Sequence, residues 1–186
     1  GVEEALRDDA AAAVQALVAE GLALSVLSGD APSRVSRVAE RLHIPQARGG
    51  ATPHDKLQAL AAAQAQGHRV AMVGDGLNDA PVLARADVSI SFADASAVSR
   101  ARADAVLLGT SLAVVAEARQ HARRTMRVLR QNLAWAAAYN LACVPLALVG
   151  WLPPWAAGVG MAASSLVVVM NSQRLRHVAP IVKAEQ

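Results

Sequence analysis

At 186 residues the chain has room for one domain, or for a domain with a smaller element attached. It is 54% hydrophobic yet only 3% aromatic, so its apolar content is mostly alanine, valine and leucine, which suits tight helix packing. A single cysteine, Cys143, excludes an internal disulfide framework and any zinc site built from several thiolates; the net charge of +3 says less than where the charges lie.

The chain opens on Gly1, and "GVEEALRDDA" lacks the basic and then apolar pattern of a signal peptide, so the sequence reads as a piece of something longer. Asp8 and Asp9 stand at the start of an expected helix over 8–20, where acidic residues suit the helix dipole. Short aliphatic runs follow at 22–29, 68–74, 86–92 and 104–109, and between them lie helical stretches at 32–42, 53–66 and 78–84. Pro32 and Pro53 occupy first-turn positions that proline tolerates. Strands alternating with helices indicate an α/β fold, a parallel sheet covered by helices. Residues 111–130 contain no breaker and read as a stalk helix. Continued to Gly150, this helix reaches roughly 60 Å at 1.5 Å per residue.

From Gln131 to Gln173 there is no Asp, Glu, Lys or Arg. The run is too long for one membrane span and about right for two, since a span takes roughly 20 apolar residues. "WLPPW" breaks it near its middle, so a transmembrane helical hairpin is expected over 131–173, with spans at 132–150 and 155–172 and Trp151 and Trp155 at the far interface. Arg123, Arg124, Arg127 and Arg130 precede the hairpin, and Arg174, Arg176, His177 and Lys183 follow it. This places both ends in the cytoplasm by the positive-inside rule. The basic pI is then membrane-flanking arginine, with a lipid bilayer and no nucleic acid as partner. The expected domains are 1–110, a stalk over 111–130, the hairpin over 131–173 and a tail over 174–186.

In an open parallel sheet, ligands bind at the carboxyl ends of strands. "SGD" (Ser28, Gly29, Asp30) ends one expected strand, "GDGLND" (74–79) ends another, and "TPHDK" (52–56) starts a helix. Together they offer a hydroxyl and backbone N–H groups for phosphoryl oxygens, a lysine for their charge, and carboxylates for a hard cation such as Mg²⁺. A lone Gly-Asp-Gly is common in ordinary turns; the three motifs in this order are far more specific. His43, His54, His68 and His121 read as surface or loop residues with no metal-site spacing.

The order "SGD", "TPHDK", "MVGDGLNDAPVLARADVSIS" resembles the phosphorylation domain of P-type ATPases, within the haloacid-dehalogenase-like superfamily. The resemblance implies a Rossmann-like fold and phosphoryl transfer with Mg²⁺ and ATP. In it Ser28 bonds the phosphoryl group beside Gly29 and Asp30, Lys56 balances its charge, and Thr52 lines the cofactor site. Asp75 binds Mg²⁺, Asn78 and Asp79 support the metal and the attacking water, and Gly74 and Gly76 let the backbone approach closely. Arg7 sits where the family usually carries an arginine. The phosphorylated aspartate of the family lies in "DKTGT", which this sequence does not contain. The expectation is therefore the C-terminal part of a pump, inactive alone, whose partners are the remaining domains and helices of the same protein.

Polar groups inside a membrane are expensive and mark transport pathways unless they join neighbouring helices. Met161 and Ser165, four apart, share a helix face, and Asn140 and Ser165 lie at similar depth, roughly 12–14 Å from the cytoplasmic end. A thioether favours Cu(I) over harder ions. "YN" followed by "MAASS" is similar to the last two helices of copper-transporting heavy-metal P-type ATPases. The resemblance makes Tyr139, Asn140, Met161 and Ser165 the transported-metal site, with Cu(I) as cargo and a copper chaperone as a further partner. Asn171, Arg174 and Leu175 match the subgroup's exit from the membrane. Cys143 reads as packing. The resemblance favours export, in a multi-pass protein of a bacterial inner or plasma membrane. A pump for another heavy metal, a membrane-anchored phosphatase of the same superfamily and a non-catalytic module are the competing readings.

Overall fold

The computed structural model describes residues 6–74 and 77–176. Asp75, Gly76, His177 and Lys183, singled out above, lie outside the described residues. The chain divides into two compact units, 1–116 and 117–186.

The first unit is α/β. Helix α1, Ala10–Ala19, buries Ala10, Ala13 and Val14 at the i, i+3, i+4 spacing of one helix face. Helix α2, Pro32–Arg41, turns Val35 and Ala39 inward. Val14, Ala39 and Ile44 form a core, with Leu24, Val26 and Leu42 packed against it. Strand β1, Ser25–Leu27, pairs in parallel with β2, Gln46–Arg48. Helix α3, Pro53–Ala65, leads on to β3, Ala71–Val73, which pairs in parallel with β4, Val88–Phe92; β4 pairs in turn with β5, Ala105–Leu107. A second core of Ile90, Phe92 and Leu107 is flanked by Leu112 and Val115.

Several expectations need correction. The sheet is not one ladder: β1 and β2 form one sheet, β3, β4 and β5 another. Among the described residues, β1 and β3 therefore each leave one edge without a strand partner. Strand β2 and helix α5, Ala97–Arg102, were not expected. All three residues of β2 are exposed, so no hydrophobic alternation announces it. The expected helix over 78–84 is a 3-10 turn, Leu77–Asp79, followed by α4, Ala80–Leu83. Asp9 stands at the N-cap of α1 as expected, but its side chain makes no capping bond there. Its carboxylate accepts from Ser111 Oγ at 2.5 Å and from the Ala113 N–H at 2.8 Å, at the start of helix α6, Ala113–Leu148. Nearby, Arg7 lies over the Phe92 ring, 4.1 Å from its centroid, and donates to the Thr110 carbonyl.

Helix α6 runs without interruption past Pro145. It ends in a turn at Gly150, whose φ of 79° is the left-handed conformation glycine adopts without a Cβ penalty. Gly150 N–H donates to the Ala147 carbonyl and Trp151 N–H to Leu146, the paired bonds of a Schellman cap. Helix α7, Pro154–Gln173, returns alongside. The seam between α6 and α7 is built from half-buried Asn132, Ala136, Tyr139 and Cys143 on one side and Gly160, Ser164, Val168 and Ser172 on the other. Among the described residues, α7 alone is long and apolar enough to cross a membrane. The expected first span is diluted by Asn132, Tyr139, Asn140 and Pro145, so by composition it falls short of its partner.

Candidate functional site

Three loops of the first unit meet through a chain of contacts. Ser28 follows β1: its N–H donates to the Arg48 carbonyl at 3.0 Å, its carbonyl accepts from Ala51 at 2.8 Å, and its Oγ accepts from the Asp30 N–H at 3.2 Å. A Cβ on Gly29 would lie 3.6 Å from the Ala51 carbonyl oxygen, so the two turns are in touch. Asp30 turns away to Arg34 at 3.0 Å and accepts the Ala31 N–H. The next residue after Ala51, Thr52, starts α3 with a reciprocal capping box: Asp55 N–H donates to Thr52 Oγ1 at 3.1 Å, and Thr52 N–H donates to Asp55 Oδ2 at 2.9 Å. The Thr52 hydroxyl itself donates to that carboxylate at 2.6 Å. These bonds from Thr52, ahead of the Arg48 guanidinium, hold the Asp55 carboxyl below the usual carboxylate range.

One turn into α3, Lys56 Nζ meets Asp79 Oδ1 at 2.5 Å, and both side chains are nearly buried. Gly74, just after β3, packs closely against this pair: a Cβ there would stand 3.2 Å from both the Cβ and Oδ2 of Asp79, so a side chain would crowd the carboxylate. Pro81, in the first turn of α4, costs no helical hydrogen bond. Asn78 is exposed, and Asp75 and Gly76 lie outside the described residues. Among the described residues, the metal donor at this pair is the Asp79 carboxylate, a hard oxygen ligand of the kind Mg²⁺ takes and a soft ion does not.

In the second unit the four expected transport residues separate. Tyr139 lies in the seam, whereas Asn140, Met161 and Ser165 are exposed on the helix pair. Met161 and Ser165 do share a face, since Ser165 Oγ donates to the Met161 carbonyl at 3.0 Å. At the other end of the pair Asn171 and Arg174, singled out in the sequence, join Gln131, Asn132 and Ser172, which are not, in a polar cluster. Asn132 donates to Ser172 Oγ at 3.0 Å, and Asn171 donates to Asn132 Oδ1 at 2.9 Å and Gln131 Oε1 at 3.2 Å. Arg174 reaches Asn171 Oδ1 at 3.2 Å. The signal was present as a set of amides at the ends of the charge-free run, but pairing across helices is invisible in a linear sequence.

Residues 1–87 match the haloacid dehalogenase-like hydrolase family. The nitrogen fixation protein FixI of Bradyrhizobium diazoefficiens is 45% identical over 94% of this chain and 24% of its own length. A copper-exporting P-type ATPase of Mycobacterium tuberculosis is 42% identical over 94% of this chain and 23% of its own. A zinc-transporting PIB-type ATPase solved in the E2.Pi state superposes with a TM-score of 0.86 and 31% identity, over 94% of this chain and 29% of that one. Over nearly its whole length the chain is similar to the C-terminal part of heavy-metal, PIB-type P-type ATPases. It spans about a quarter of the length of the curated relatives it matches. The Lys56–Asp79 pair falls within the residues that match the hydrolase family, and the α6–α7 pair lies outside them.

Proposed function

We propose that this chain supplies the dephosphorylating half of the phosphoryl site, and two membrane helices, of an ATP-driven pump that exports Cu(I). The observation that carries the reading is the Lys56–Asp79 pair, at 2.5 Å and nearly buried beside the end of β3. Phosphoryl transfer needs little covalent chemistry from the protein; positioned charge on the equatorial oxygens dominates catalysis. Lys56 provides that charge. Ser28, whose Oγ already accepts from Asp30, offers its hydroxyl hydrogen to a phosphoryl oxygen. Asp79 accepts from Lys56 through Oδ1, which leaves Oδ2 to orient the attacking water, with Asn78 beside it in the same turn. Mg²⁺ held by Asp79, and by Asp75 from the motif, would neutralise phosphoryl charge.

The acceptor aspartate belongs to another segment of the pump. The edges of β1 and β3 that have no strand partner among the described residues, and whose ends carry Ser28 and Gly74, suit a parallel strand that brings it. Copper as cargo is supported by the exposed thioether of Met161, by the absence of charged residues over 131–173, and by the 42% identical copper-exporting relative. The test is ATPase activity of the full-length pump in lipid vesicles, with Cu(I) under reducing conditions or Zn²⁺ as the added metal. Cu(I) stimulation that Lys56→Ala abolishes is the expected result. Stimulation by Zn²⁺ alone overturns the copper assignment, and full activity in Lys56→Ala overturns the catalytic one.

A further inference from the structure

Where α6 and α7 pack together, a side chain on Gly160 would meet the Tyr139 hydroxyl and force it to shift. A Cβ built on it would lie 2.7 Å from the Tyr139 hydroxyl oxygen and 3.5 Å from Cε2 and Cζ of the same ring. The first distance is shorter than a real Cβ contact, and the other two are ordinary van der Waals separations. A methyl here therefore collides with the phenol oxygen and not with the ring. Glycine inside a helix weakens it relative to alanine, so its presence in this turn of α7 calls for a compensating reason. Gly158, two residues earlier in the same helix, has nothing within 4 Å of its Cβ position. The crowding is thus specific to the position facing Tyr139.

We propose that Gly160 is a positioning residue for the transported-metal site: it sets how closely the Tyr139 hydroxyl approaches α7, immediately beside Met161. This rests on the reading of Tyr139 and Met161 as transport residues. The physical argument is one of depth. Successive residues on a helix rise about 1.5 Å, so a phenol seated on Gly160 presents its oxygen at nearly the level of Met161. The thioether stands exposed while the phenol is held in the seam. An added methyl displaces the oxygen, the harder donor of the two, and leaves the thioether in place. Loss of metal affinity without loss of the catalytic machinery follows.

The experiment measures the half-saturating Cu(I) concentration and the turnover at saturating Cu(I) in the full-length pump, for Gly160→Ala, Gly158→Ala, Tyr139→Phe and the double variant Gly160→Ala/Tyr139→Phe. Gly160→Ala is expected to raise half-saturating Cu(I) about tenfold, a coupling of the size seen between touching residues, with turnover at saturation kept. Gly158→Ala leaves both values unchanged. In the Tyr139→Phe background, which lacks the colliding oxygen, Gly160→Ala adds no further shift. An equal shift in both backgrounds, or none in either, overturns the positioning role while the transport reading of Tyr139 stands on its own shift. If Tyr139→Phe leaves half-saturation unchanged, the transport reading of Tyr139 falls, and the role of Gly160 falls with it.

Discussion

At the end of β3, the side chains of Lys56 and Asp79 are 11% and 12% exposed and meet at 2.5 Å, whereas Met161 stands 65% exposed on α7. The first arrangement is finished within its own unit: each charge has its partner, and Gly74 leaves space for the carboxylate. The second has a donor and a framework but no surrounding. A buried charge pair couples chemistry to folding, because removing one member strands the other. An exposed ligand couples only to what it binds. Substitutions in the two regions should therefore fail in different ways, and the sharpest tests are those that separate stability from activity.

The largest effect is expected at Asp79. Asp79→Ala leaves the Lys56 ammonium desolvated and unpaired, costing about 3 kcal/mol in thermal or denaturant unfolding. In the proposed phosphoryl site it also removes a charged group, which should lower turnover of the pump by on the order of 100-fold. The paired change Lys56→Met/Asp79→Leu should recover most of the stability and none of the turnover; recovered turnover would place the chemistry elsewhere. Met161→Ala is the contrasting case. On the proposed copper reading, Cu(I)-stimulated ATPase activity of the full-length pump should fall about tenfold, the size of effect a lost metal-site contact has. The unfolding midpoint should stay put, because the side chain is exposed. A drop in stability comparable to that of Asp79→Ala would erase the distinction between the two regions.

What was legible in the sequence follows the same division. The strands ending at Leu27 and Val73 and the helices starting at Pro32 and Pro53 were readable, because aliphatic runs and first-turn prolines are local signals. Strand β2 was not, since Gln46, Ala47 and Arg48 are all exposed and its pairing with β1 comes from tertiary packing. Lys56 and Asp79 were each named, but their contact joins residues 23 apart and no periodicity encodes it. The sequence places Asp9 at the start of its own helix, where it stands, but cannot show that its carboxylate bonds Ser111, 102 residues along the chain. In the second unit, spacing showed that Met161 and Ser165 share a face, yet which face of α6 meets α7 was beyond its reach. Tyr139 in the seam and Asn140 outside it are neighbours in sequence with opposite surroundings.

A smaller effect is expected at the cap of α3. Thr52→Ala should cost about 1 kcal/mol of stability, the usual value for a lost N-cap. Thr52→Ser keeps the box and should be near wild type. The Thr52 hydroxyl donates to Asp55 and so has no hydrogen left for a phosphoryl oxygen while the box is closed. Turnover in Thr52→Ala, measured below its unfolding transition, distinguishes a cap from a phosphoryl donor: a loss no larger than the change in folded fraction marks a cap alone.

The smallest effect concerns acid. Ser89, buried in β4, donates both its Oγ and its N–H to Asp104 Oδ2 at 2.8 Å, and its Oγ accepts the Asp104 N–H at 3.0 Å. This clasp fastens β4 to the start of β5. The two bonds from Ser89, hydroxyl first and then backbone, hold the Asp104 carboxyl below its ordinary value of 3.8. A folded pKa below the unfolded one means that the unfolded chain takes up the proton first. The stability due to the clasp is then complete above that ordinary value and disappears as pH falls through the lower, folded one. Asp104→Asn cannot titrate, so its deficit against wild type should be constant from neutral pH down to about pH 4 and shrink below that. Urea unfolding of both proteins across this range reads the difference directly. A deficit that grows on acidification would mean that the carboxylate is not the clasp's accepting group.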